Sequence, residues 1–115
     1  MNVVGVIHTT NAFLPLLKKA AETALVKVVT LSSGLGDTDL TLASRYAEQA
    51  PYSASKAAVN MVVAKYAALF SDHNVVFLAI SPGVVDTAVR PRECPLRHLV
   101  SELGMRERRA ELAFV

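Results

Sequence analysis

Two short stretches, Val26-Lys27-Val28-Val29-Thr30-Leu31-Ser32 and Val75-Val76-Phe77-Leu78-Ala79-Ile80-Ser81, decide the fold of this chain. Both are dominated by β-branched and large apolar residues, and both stop at turn chemistry, Gly34 and Gly36 after the first and Pro82-Gly83 after the second. Near-continuous apolar runs of this length read as strands buried on both faces. Between them residues 52–71 read as a helix entered through Pro51, whose fixed φ suits a first helical turn. Strand, helix, strand is one βαβ unit, which implies parallel strands and a right-handed crossover.

Working outward, residues 2–20 read as a second helix. Val3, Val6, Ile7, Phe13, Leu14, Leu16 and Leu17 form a broad apolar face, and Lys18 and Lys19 suit the dipole at its C-terminal end. Pro15 lies inside this helix and should bend it or disturb one turn. Residues 37–50 read as a polar loop with a helical turn around Ala43 to Glu48, and residues 95–113 as a charged helix. The 52–71 helix is apolar almost all round, so it should be covered on more than one side.

Composition agrees with a chain that needs covering. At 115 residues it is one domain at most. Hydrophobic residues make up 52%, the mean hydropathy is +0.36, and charged residues reach only 19%, below the usual quarter or so. Either the chain buries surface against a partner or it belongs to a larger core. The net charge of +2 is too small to argue for nucleic acid. The basic residues between Arg90 and Arg109 are interleaved with Glu93, Glu102 and Glu107, which reads as a solvated mixed-charge face. Cys94 is the single cysteine, so an internal disulfide is ruled out. The apolar run from Ala57 to Phe70 is broken by Asn60 and Lys65 and is short of the roughly 20 residues needed to cross a bilayer. Charge follows the N-terminal apolar stretch instead of preceding it, the wrong order for a signal peptide. A cytoplasmic location without membrane contact is the resulting expectation.

The chemistry centres on Tyr52-Ser53-Ala54-Ser55-Lys56. Four residues apart on a helix is one turn, so Tyr52 and Lys56 share a face. A phenol titrates near pH 10, and an adjacent ammonium stabilises its phenolate. Such a tyrosine can exchange a proton with a substrate oxygen near neutral pH. Alone the motif is weak, because Tyr52 could be a helix-start aromatic and Lys56 a solvated lysine. Its setting strengthens it. Ser32-Ser33 ends the strand before it, and Pro82-Gly83-Val84-Val85-Asp86-Thr87 ends the strand after it. Ligands of open α/β sheets bind at the carboxyl ends of strands, and all three groups fall at that edge.

On these residues the chain resembles the short-chain dehydrogenase/reductase family. Asn2-Val3-Val4-Gly5 resembles the family's Asn-x-x-Gly segment, Val28 to Ser33 the strand ending in its serine, Tyr52 to Asn60 its active-site helix, and Pro82 to Thr87 the segment beside the nicotinamide. The details FLPLLKK, LSSGLG and SASKAAVNM are most similar to fungal and C-factor-like carbonyl reductases, some of them ketoreductases. The resemblance implies an α/β fold, a partial Rossmann fold across residues 1–115 with the N-terminal half of the doubly wound sheet missing, and with 88–115 as a divergent tail or lid. It implies NAD or NADP as cofactor, with NADP favoured by the subgroup, and a small carbonyl or alcohol substrate. Tyr52 would donate the proton, Lys56 would hold the nicotinamide ribose, Ser33 the substrate oxygen, and Asn2 a relay water. Pro82, Gly83, Val85 and Thr87 would line the nicotinamide. No metal is implied, and His8, His73 and His98 have no ligand spacing. Family members pair through the helices corresponding to 2–20 and 52–71, so a homo-oligomer is expected.

The sequence departs from the family in one large respect. It contains no Thr-Gly-x-x-x-Gly-x-Gly phosphate loop, and Gly34-x-Gly36 follows the serine and opens a loop instead of a helix. Pyrophosphate contacts therefore have no visible source. Two readings follow: a catalytic segment of an oxidoreductase, or a non-catalytic remnant that acts by pairing with relatives through its apolar helices.

Overall fold

The structure, a computed structural model, describes residues 1–83. The elements run α1 (Asn2–Ala21), β1 (Val26–Leu31), a 3-10 turn (Gly34–Gly36), α2 (Thr38–Ser44), α3 (Ala50–Leu69) and β2 (Val75–Ile80). The strands pair in parallel, from Val26 opposite Val75 to Leu31 opposite Ile80. A parallel pair needs a long crossover, and α3 supplies it. The arrangement is a partial Rossmann-like α/β fold, as the strand and helix patterns imply. The expected helix at 95–113 and the 88–115 lid lie outside the described residues.

Helix α1 runs unbroken through Pro15 and ends with Lys18 and Lys19 in its last turn. Its exit is fixed twice. Thr23 Oγ1 donates to the Ala20 carbonyl at 3.2 Å, and Asn74 Nδ2 donates to the Ala21 carbonyl at 3.1 Å. The second bond ties the end of α1 to the start of β2. Helix α2 lies earlier than the turn expected around Ala43 to Glu48. Its start is set by Asp37, whose carboxylate accepts the Leu40 N–H at 2.9 Å in the usual capping manner. Helix α3 begins and ends two residues before the 52–71 expectation, with Gln49 as a left-handed N-cap and Pro51 in the first turn.

Both long helices pack on one face of the two-strand sheet. Val59 and Val63 of α3, Phe70 beyond it, Ala21 of α1, and Val75 and Phe77 of β2 form the buried core, with Val3, Val6, Leu14, Val26 and Val28 against it. Tyr66 stacks on Phe77 with ring centroids 5.4 Å apart, and Phe70 tilts against the same ring at 5.6 Å. Each such apolar side chain contributes about 1.5–3 kcal/mol when fully buried. The helices lie parallel, joined near their N-termini by Asn2 Nδ2 donating to Ser55 Oγ at 3.1 Å and further along by Tyr66 O–H donating to Asn11 Oδ1 at 2.6 Å.

One expectation needs correcting here. The strands are not buried on both faces: β1 alternates, with Val29 and Leu31 exposed at 52% and 66%, and Val76 of β2 is also exposed. Helix α3 is covered on more than one side, by β2, α1 and the 3-10 turn, yet Met61 and Leu69 still face outward. The physical reason holds for the exposed apolar residues of the strands and of α3 alike. Apolar residue types report how much surface wants cover, and α1 and α3 can cover only the face they share.

Candidate active site

The carboxyl edge of the sheet is built from the chain that leaves β1. The Ser32 N–H donates to the Ile80 carbonyl at 2.8 Å, extending the ladder one step past Leu31. Its buried hydroxyl donates to Asn60 Oδ1 on α3. Ser33 is extended and caps the 3-10 turn: its Oγ accepts the Leu35 N–H at 3.2 Å, and its carbonyl accepts the Gly36 N–H at 2.9 Å. With a lone pair of Oγ committed to Leu35, its O–H donates to none of the described residues and remains available to an incoming oxygen.

The turn is held at both ends. The Gly34 N–H donates to Ser81 Oγ at 3.0 Å, bonding it to the residue after β2. Gly36 lies directly against α3: a Cβ there would come within 2.7 Å of the Lys56 carbonyl carbon and the Ala57 nitrogen. Only a glycine allows that approach of one backbone to another. Asn60 Nδ2 donates to the Gly36 carbonyl at 3.4 Å, so the same amide holds the turn and Ser32.

On α3, Tyr52 is 40% exposed. Lys56, one turn on, places its Nζ 5.7 Å from the Tyr52 ring centroid and donates to the Leu31 carbonyl at 3.0 Å. The ammonium thus stands between the tyrosine ring and the end of β1, whose chain continues to Ser33. Ser55 Oγ donates to the Tyr52 carbonyl at 2.7 Å and accepts from Asn2, which puts Asn2 against the first turns of α3. Pro82 and Gly83 follow β2 at the same edge, exposed, with Gly83 at φ +78°. Asn2, Ser33, Tyr52, Lys56, Pro82 and Gly83 are therefore placed along the N-terminal turns of the two helices and the carboxyl edge of the sheet. Val85 and Thr87 lie outside the described residues. Among the described residues no three His, Cys, Asp or Glu side chains cluster to hold a metal. No helix among them is long and apolar enough to cross a membrane.

Sequence reasoning put Ser32 at this edge but missed Gly36, Asn60 and Ser81 as parts of it. Asn60 left a signal, a polar amide interrupting the apolar run of α3. Gly36 left none, because its requirement comes from a helix twenty residues further along the chain.

The nicotinamide end of a dinucleotide fits this edge as far as donors are concerned. Lys56 offers an ammonium and the part-exposed Tyr52 a hydroxyl for a ribose, and Pro82 and Gly83 after β2 are exposed. The phosphates do not find their usual glycine-rich cradle in this sequence.

Comparison with known proteins points the same way. The short chain dehydrogenase family model matches residues 1–95. The short-chain dehydrogenase/reductase AacuF of Aspergillus aculeatus is 50% identical over 91 residues, covering 76% of this chain and 33% of its own length. The short-chain dehydrogenase/reductase iacC of Pestalotiopsis fici is 42% identical over 85 residues, covering 74% and 30%. The short chain dehydrogenase virK of Hypocrea virens is 37% identical over 87 residues, covering 76% and 31%. The chain thus spans about a third of the length of these fungal relatives. No solved structure matches it. A family match that runs through α1, the parallel crossover and the edge carrying Ser33, Tyr52 and Lys56 leaves one assignment, and the chain belongs to the short-chain dehydrogenase/reductase family.

Proposed function

We propose that this chain supplies the catalytic edge of an NAD(P)-dependent oxidoreductase that interconverts a carbonyl and an alcohol. The observation that carries the reading is the position of the Lys56 ammonium, 5.7 Å from the Tyr52 ring centroid and bonded at 3.0 Å to the strand end that leads into Ser33. The nicotinamide, when bound, supplies or accepts the hydride at the substrate carbon. The chain's own residues handle the oxygen. Ser33 donates a hydrogen bond to the carbonyl oxygen and orients it. Tyr52 donates the proton that turns the oxygen into a hydroxyl, and its phenolate is reprotonated from solvent, to which it is open. Lys56 holds the ribose and stabilises that phenolate. Asn2, bonded to Ser55 beside Tyr52, supports a relay water. Pro82, Gly83, Val85 and Thr87 line the nicotinamide. Either nucleotide is compatible with these residues, and the subgroup resemblance favours NADP. A small carbonyl compound in a cytoplasmic setting is the proposed substrate class.

Titrating the chain with NADPH and NADH by fluorescence, then assaying carbonyl reduction, tests the reading. Saturable binding with turnover is expected. Tyr52→Phe should lower kcat by about 10²- to 10⁴-fold while sparing nucleotide affinity. A variant with undiminished rate overturns the assignment of the proton donor.

A second reading rests on a separate observation. Ile7 of α1 and Met61, Val62, Tyr66 and Leu69 of α3 line an open apolar groove with Lys65 at its rim. A chain that acts by pairing through α1 and α3, with a second copy or a longer relative, would use that groove. It would dimerise in solution yet bind no nucleotide alone.

A further inference from the structure

The polar bonds of Asn60 serve no purpose in the mechanism above, yet they sit at its centre. The side chain is half-buried at the middle of the most apolar helix in the chain, where an alanine or leucine would satisfy the local pattern. Instead its Oδ1 accepts from the Ser32 hydroxyl and its Nδ2 donates to the Gly36 carbonyl at 3.4 Å. Those two partners bracket Ser33 and its turn. Lys56 lies one helical turn before Asn60 and Tyr52 one turn before that, so a single helix carries the clasp, the ammonium and the phenol. On the other side of the turn, Gly36 is pressed against the backbone of Lys56 and Ala57 so closely that a methyl group would not fit.

We infer that Asn60 is a positioning residue: its amide clasps the strand end and the 3-10 turn onto α3, fixing Ser33 relative to Tyr52 and Lys56. The inference rests on the reaction proposed above for its catalytic consequence, and on the two hydrogen bonds alone for its structural one. A side chain bonded at both of its polar atoms resists rotation of the turn in a way that one bond does not. Loss of either bond leaves a half-buried polar group without its partner, so the turn relaxes toward solvent and carries Ser33 with it. Tyr52 and Lys56 stay where α3 holds them. Misplacement of one donor by about an ångström is enough to cost on the order of 10²-fold in rate.

The test uses Asn60→Leu, which keeps the branching at Cγ and removes both polar atoms, and Asn60→Asp, which keeps the acceptor for Ser32 and removes the donor to Gly36. Two readouts are taken on the 115-residue chain: steady-state carbonyl reduction, and amide hydrogen exchange. For Asn60→Leu, kcat should fall about 10- to 100-fold with the nucleotide KM within about twofold of wild type. The amides of Leu35, Gly36 and Asp37 should exchange at least about tenfold faster while the β1–β2 ladder is unchanged. Asn60→Asp should lie between. A folded Asn60→Leu with kcat within about twofold of wild type overturns the inference. So does faster exchange spread evenly through the ladder, which marks a general loss of stability. If Asn60→Leu does not fold, Asn60→Asp and Ser32→Ala are measured by the same two readouts, and the same results uphold or overturn the clasp. If the wild-type chain reduces no carbonyl compound, the reaction reading fails, and exchange alone then decides: local acceleration at 35–37 upholds the clasp and its absence overturns it.

Discussion

The two faces of the sheet are made of the same kinds of residue and meet opposite fates. On one face Val75 and Phe77 are buried under α1 and α3, with Val26 and Val28 packed beside them. On the other, Val29, Leu31 and Val76 are bare. Hydrophobicity therefore does not distinguish them, and the location of the two helices does. The candidate site lies on the seam between the faces. Leu31 shows this within one residue, since its side chain is exposed on the bare face while its carbonyl holds Lys56 on the covered side. What α1 and α3 cover is held by this chain's own contacts. What they do not cover stays bare among the described residues, in a chain whose match spans about a third of its relatives' length.

The comparison breaks most readily at the adjacent pair Phe77 and Val76. Phe77 is 6% exposed and touches both Tyr66 and Phe70, so Phe77→Ala should cost about 3–5 kcal/mol. That is a large share of the stability of any small domain. Val76→Ala, one residue away on the bare face, should cost less than about 1 kcal/mol. Urea unfolding followed by circular dichroism measures both. Equal losses would mean that the two faces are equally covered in solution.

This pair also marks how far the sequence can be read. The parallel unit is legible because each strand is short, apolar and closed by turn residues, and because a helix-length segment separates them. The grouping of Ser33, Tyr52 and Lys56 follows from that topology, since strand ends and the first turn of the crossover helix share an edge. The one-sided burial is not legible, because Val29 and Phe77 look alike without knowing where the helices lie. The pattern around Ala43 to Glu48 places α2 too late, because the signal that starts it is the Asp37 cap, which sets the first turn at Thr38. Gly36 and Asn60 escape for a deeper reason. Their requirement is a contact between segments that are distant in the chain, and no local pattern records it.

Two glycines sharpen the comparison at intermediate size, with opposite signs. Gly36 has no room for a methyl group, with backbone atoms of Lys56 and Ala57 at 2.7 Å from where it would stand. Gly36→Ala should therefore destabilise by about 1–3 kcal/mol through overpacking. Gly5 lies in α1 with nothing within 4 Å of its added methyl. Gly5→Ala should stabilise by about 0.5–1 kcal/mol, because alanine loses less backbone entropy in a helix. Thermal melts of the two variants give the signs directly. A neutral Gly36→Ala would show that the turn stands off α3 in solution and would remove the basis for placing Ser33 beside it.

The smallest effect is expected at Val29, and it discriminates best between this chain alone and whatever covers it. Val29 is 52% exposed on the bare face and contributes little to the core described here. Val29→Thr keeps the β-branched shape, so in the 115-residue chain the unfolding free energy should change by less than about 0.5 kcal/mol. In a longer protein whose additional layer packs on this face, the same hydroxyl would be buried without a partner and would cost about 1–3 kcal/mol. Measuring Val29→Thr in the chain alone and in the presence of a candidate covering segment converts the bare face into a reporter. A cost that appears only with the segment present locates its docking on the Val29 side. A cost already present in the chain alone would mean that self-association covers this face, and the contrast between the two faces would then belong to the monomer only.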